Sequence, residues 1–239
     1  MRARRLVAVA SVAVGLVALS GCRTEPGVAA YVGDHRITED AVTTILDELK
    51  GKLPTQEPTQ APAGQESAAP AASRLPARSQ VVSTLVLLDV CKKASEEKGY
   101  RAQGQVQPQQ VAQQFGLPAD AAYPQRVAEL YTCLSGVPAG EPVAPTQEEL
   151  TALVTAGKKA GAIPPEVTVE QAAGQLDGDQ LRSALATRKT LAEAVTGYDV
   201  TVNPRYRPLA FPVLSFSGDT PAISVPLGEA GNDAVVDAG

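Results

Sequence analysis

Four side chains in this 239-residue chain have chemistry that depends on their neighbours: Cys22, Cys91, Cys133 and the sole histidine, His35. Cys22 follows Leu19-Ser20-Gly21, behind a basic start (Arg2, Arg4, Arg5) and an apolar or small-residue run from Leu6 to Leu19. That order is the layout of a secretory leader, with an apolar stretch too short to span a bilayer. Cys91 and Cys133 each fall in or beside an apolar helical stripe, in a chain bound for an oxidising compartment. Two outcomes stay open for them. A disulfide would stabilise by roughly 3–4 kcal/mol in the chain-entropy model, whereas two buried thiols would only fill space. His35 reads as part of a turn. No Gly-x-Ser-x-Gly elbow accompanies it, so Ser/His/Asp catalysis has no nucleophile. A metal centre needs several converging ligands, and the Asp/Glu pairs here sit at helix starts, where they act as caps. Gly174-Gln175-Leu176-Asp177-Gly178 lacks the Gly-Lys-Ser/Thr of a phosphate cradle and reads as a turn. No catalytic, cofactor-binding or metal-binding residue is assigned.

Composition narrows the partners. Removing residues 1–21 takes away three arginines and no acid, leaving 18 basic and 26 acidic side chains, a net charge of −8. That balance argues against nucleic acid or an anionic membrane face as a general electrostatic partner. There is no Trp, there are three Phe and one Met, and Pro plus Gly reach 39 residues. A core built from this composition needs Leu, Val and Ala at helical spacing.

The elements that must position these residues are mostly helices. Residues 28–32 and 35–37 read as a small hairpin turning at Gly33-Asp34. Thr38 is a good N-cap for a helix with Glu39 and Asp40 in its first turn and Val42, Ile45, Leu46 and Leu49 on one stripe. Residues 51–77 carry five Pro, seven Ala and three Gln and read as a flexible insertion. Further helices are expected over about 79–98, stopped by Gly99, and over 108–115, opened by Pro108 with Val111 and Phe115 inward. Others follow over about 124–134, with Val127, Leu130, Tyr131 and Leu134 on one side, and, behind a capping box at Thr146 to Glu149, to about 160. A short helix opens at Thr168. The strongest stripe runs from Leu181 through Leu185 and Leu191 to Val195, stopping at Gly197. Residues 198–202 alternate as a strand does. A lone strand at each end is best satisfied by pairing the two, which makes a mainly α helical bundle with a small β element. Residues 207–239 read as a largely irregular tail, in which Phe211, Val213, Leu214 and Phe216 are able to dock on the body.

Two resemblances add to this reading. Leu19-Ser20-Gly21-Cys22 resembles the lipobox of bacterial lipoproteins, which implies cleavage before Cys22, acylation of its sulfur and an extracytoplasmic chain held to the membrane by lipid. Residues 22–27 then form a tether. The run Val28-Ala29-Ala30-Tyr31-Val32-Gly33-Asp34-His35-Arg36-Ile37-Thr38-Glu39-Asp40-Ala41-Val42 resembles the opening of SurA N-terminal domains. Val200-Thr201-Val202-Asn203-Pro204-Arg205-Tyr206 looks like the closing strand of actinobacterial lipoproteins of that group.

The second resemblance implies a helical chaperone-like domain over residues 28–206, in which Asn203, Arg205 and Tyr206 lock the end strands together. Nothing in the chain resembles the parvulin domain of SurA-like foldases, so prolyl isomerase activity is not expected. The expected partners are the bilayer, through Cys22, and unfolded or exported polypeptides. A structural or small-ligand-binding envelope lipoprotein on the same scaffold is the rival expectation, because fold alone does not fix function.

Overall fold

A computed structural model describes residues 25–53, 75–216 and 220–228. The leader, Cys22 and residues 54–74 of the expected insertion lie outside the described residues. The first strand, β1 (Val28–Val32), is buried along its whole length. It turns at Gly33, whose φ of +58° suits a residue without a Cβ, into β2 (His35–Thr38). The closing strand β3 (Val200–Val202) pairs antiparallel with the other edge of β1, placing Ala30 opposite Val202 and Val32 opposite Val200. The sheet order is β2-β1-β3, so the two ends of the helical region meet in one sheet. The expected architecture, mainly α with a small β element joining the first and last strands, is what the chain adopts.

The helices are α1 (Glu39–Lys52), α2 (Arg78–Lys98), α3 (Pro108–Phe115), α4 (Ala122–Leu134), α5 (Gln147–Lys159), α6 (Val169–Leu176) and α7 (Asp179–Gly197). Their starts are set locally. Thr38 Oγ1 accepts from the Ala41 N–H, Thr146 from Glu149 and Thr168 from Gln171. The last two are complete capping boxes, which satisfy orphan N–H groups at both positions. Helix α2 is the centre of the bundle, buried from Val81 to Ala94 on more than one face. Its two buried hydroxyls, Ser83 and Thr84, donate back to the Gln80 carbonyl, so neither is left unpaired.

Apolar contacts form two clusters. The larger gathers the three-stranded sheet with α1 to α4 and the C-terminal half of α7, through Leu191 and Val195. The smaller joins α5 and α6 to the N-terminal half of α7, through Leu181, Ala184 and Leu185.

The residues expected to form an irregular tail differ most from expectation. Residues 210–226 make a second antiparallel pair, β4 (Ala210–Ser215) with β5 (Pro221–Pro226). Leu209, Phe211, Ile223, Val225 and Leu227 are buried, and Ile223 belongs to the smaller cluster while the other four belong to the larger. The hairpin thus bridges both. Its prolines disguise it in sequence, yet Pro221 and Pro226 stand at strand ends and Pro212 on an edge strand, where a missing N–H costs little.

Two aromatic side chains of the expected apolar stripes depart as well: Phe115 is 42% and Tyr131 41% exposed instead of inward. Gly116, at φ +64°, swings the chain back so that the Leu117 N–H reaches the Ala112 carbonyl at 2.8 Å. Leu117 then takes the buried place one turn of helix would have given Phe115.

Because Leu227 is 2% exposed and anchors the hairpin, Leu227→Ala is expected to cost roughly 2–5 kcal/mol in urea unfolding, with an unchanged m-value. An effect under half a kcal/mol would mean that the hairpin contributes nothing to the fold.

Candidate functional site

Two places concentrate side chains beyond ordinary packing. The first is the junction where β1, β3 and α1 meet. Asn203 donates from Nδ2 to the Val28 carbonyl at 3.0 Å, and its backbone N–H reaches the Ala29 carbonyl at 2.9 Å. Its side-chain oxygen accepts from the Arg205 N–H, opening the 3-10 turn Pro204–Tyr206. That turn aims the Tyr206 hydroxyl at Glu39 Oε2, 2.7 Å away. Arg78, at the start of α2, donates to the same oxygen at 2.9 Å and to Thr43 Oγ1 at 2.9 Å. Arg205 lies 3.5 Å from Glu39 Oε1. Asn203, Arg205 and Tyr206 are therefore brought together where β1 and β3 meet. Their common partner is Glu39, and Arg78 closes the group.

The electrostatics follow from that geometry. Burial of Glu39, whose side chain is 13% exposed, pushes its pKa up. The Tyr206 and Arg78 hydrogen bonds and the charges of Arg205 and Arg78 outweigh burial and hold the carboxyl below its ordinary value. Tyr206 moves the other way, raised first by burial and then by its bond to the carboxylate, against Arg78.

Cys91 and Cys133 are joined in a disulfide with their Cα atoms 6.2 Å apart. Ser95 Oγ lies 3.4 Å from the Cys133 sulfur. The bridge ties α2 to α4 and settles the two outcomes left open by the sequence. His35 pairs with Asp89 of α2, which pins the β1–β2 turn to that helix. Among the described residues, no three His, Cys, Asp or Glu side chains gather in a metal-holding group, and no helix is long and apolar enough to cross a membrane.

The second place is a cleft of about 380 Å3 between α4, α7 and β4. Its walls include Tyr131, Leu134, Ala184, Leu191, Phe211 and Val213. Tyr131 stands at the mouth, 41% exposed, with its ring 6.4 Å from that of Phe211 at a tilt of 58°. A smaller hollow of about 140 Å3 under residues 137–139 shares Leu134, Thr187 and Leu191 with it. The polar members of the cleft are Gln180, Ser183 and Thr187, and no carboxylate, imidazole or amine lines it. Such a lining offers apolar contact with a few hydrogen bonds and lacks a strong acid–base pair.

No family model, no curated protein and no solved structure matches this chain. The likeness to SurA N-terminal domains rests on the two end motifs alone.

Sequence reasoning finds the junction from its C-terminal half and misses the other half. Glu39 reads as a helix-dipole residue, and nothing local marks Arg78. The cleft escapes too, because Phe211 lies in the stretch read as a tail.

A depressed Glu39 pKa contributes stability that is present in full above the unfolded-state value. It is lost as pH falls through the lower folded-state value. Glu39→Gln is expected to cost about 1–3 kcal/mol at neutral pH and to flatten the acid limb of the stability profile. An equally steep limb in the variant would show that Glu39 does not carry it. Replacing both Cys91 and Cys133 by Ser is expected to lower unfolding free energy by about 4 kcal/mol in the chain-entropy model for a separation of 42 residues. No change on thermal melting with and without reductant would contradict the bridge.

Proposed function

We propose that this protein is a lipid-anchored, extracytoplasmic binding protein of the chaperone-like kind, which holds an extended segment of another polypeptide and catalyses no reaction. The residues around Cys22 support the anchor: cleavage before Cys22 and acylation of its sulfur leave the domain tethered a few residues from the bilayer. Two or three acyl chains, at about 0.8 kcal/mol per buried CH2, make such an anchor stable. The SurA-like ends support a helical domain that works by contact.

The observation that carries the binding reading is Tyr131. A large aromatic side chain is left 41% exposed over an apolar cleft whose far wall is strand β4. Aromatic anchors beside a shaped hollow are typical of the few residues that dominate polypeptide recognition. An extended chain fits because the cleft lies lengthwise along α7, from Gln180 to Leu191. The sparse polar rim suits backbone groups better than charged side chains.

The test is suppression of aggregation of a reduced model protein by the mature chain. The native protein is expected to suppress aggregation at a few-fold excess, and Tyr131→Ala to weaken this several-fold with unchanged thermal melting. Phe115→Ala, which removes an equally exposed ring on α3, serves as the control and should retain suppression. No suppression at several-fold excess, or equal loss in both variants, contradicts the proposed cleft.

A further inference from the structure

Arginines collect at the end of the three-stranded sheet where the chain arrives from Cys22. Arg36 reaches back from β2 to Glu25, 3.4 Å away. Arg78 and Arg205 flank Glu39, whose own N–H donates to the Gly27 carbonyl. Arg207 donates to the Val202 carbonyl at 3.0 Å. The Arg36, Arg205 and Arg78 side chains remain 60%, 55% and 44% exposed. Of the nearby acids, Glu39 is sunk between its partners, while Glu25 and Asp40 face solvent. Arg23 adds a further positive charge on the tether itself.

The other end of the same sheet has the opposite sign. Asp34 sits at the tip of the β1–β2 turn and Asp199 beside it, its carbonyl accepting from the Gly33 N–H. Asp89 holds His35, and Glu97 accepts from the Tyr198 hydroxyl. Lys93 lies close to Gly33 there. In a mature chain of net charge −8, a basic tether end is a local exception that orients the whole body.

We infer that this end of the sheet rests on the leaflet that holds Cys22, with the exposed Arg36 and Arg205 on the phosphate groups of anionic lipids. The inference rests on the acylated Cys22 proposed above. Cys22 stands three positions before Glu25, a span of about 10 Å when fully extended, and residues 25–28 form a turn in which the Val28 N–H reaches the Glu25 carbonyl. The tether thus keeps this end, and not the acidic one, within reach of the headgroups. Guanidinium groups suit the task because their planar fork grips phosphate in two places.

The test uses the full acylated chain in phosphatidylcholine vesicles with and without phosphatidylglycerol. Amide exchange is followed by mass spectrometry over residues 25–40 and 199–209. Exchange at 25–28 and 203–207 is expected to slow about fivefold for each arginine engaged when phosphatidylglycerol is present. Molar salt should restore it, and so should the paired substitution Arg36→Gln with Arg205→Gln. Equal exchange in both vesicles, or protection at 33–35 and 199 instead, overturns the docking while leaving the anchor intact. Intact mass of the same sample separates the two claims: an unacylated Cys22 removes the anchor and the docking together.

Discussion

Strand β1 has no solvent face, since all five of its residues are buried. A strand with that pattern must hydrogen-bond on both edges and be covered on both sides. β2 satisfies one edge through a two-residue turn. The other edge waits for β3, at the far end of seven helices. Closing so long a loop costs entropy that grows slowly with length. The pairing is reinforced by groups that register the two ends: Asn203 on the Val28 and Ala29 carbonyls, and Tyr206, Arg78 and Arg205 on Glu39. One carboxylate thereby touches the start of α1, the start of α2 and the turn after β3. Three segments distant in sequence are fixed at one point.

From that point the remaining order follows. α2 leaves the junction through Arg78 and runs through the middle of the bundle, where the disulfide fastens it to α4. α7 returns to the junction with its C-terminal half in the larger apolar cluster and its N-terminal half in the smaller. The β4–β5 hairpin lies across both clusters and supplies the outer wall of the cleft. The cleft lies between α4, α7 and β4, with Tyr131 at its mouth.

What the sequence makes legible is whatever is encoded over a few residues. Helix stripes and their caps at Thr38, Thr146 and Thr168 are local, and all three hydroxyls accept the N–H that the capping pattern requires. The β1–β3 pairing is long-range, yet a lone strand at each end leaves few other ways to satisfy its backbone. The β4–β5 hairpin was hidden because Pro208, Pro212, Pro221 and Pro226 are strand breakers in most settings, and only their places at edges and ends make them compatible. Glu39 and Arg78 carry no local sign of their meeting, since the attraction between them is set by the folded geometry. Phe115 and Leu117 show a finer limit: a single left-handed glycine decides which of two apolar neighbours turns inward.

The claim that the end strands hold the fold together is tested most directly by native-state hydrogen exchange, followed residue by residue across a denaturant series. The amides of Tyr31, Thr201 and Asn203, which face the partner strand in this register, are expected to open only with global unfolding, together with those in the centre of α2. If the β1 and β3 amides instead exchange through a low-energy opening while α2 and α4 stay protected, the bundle stands without its clasp and the account fails.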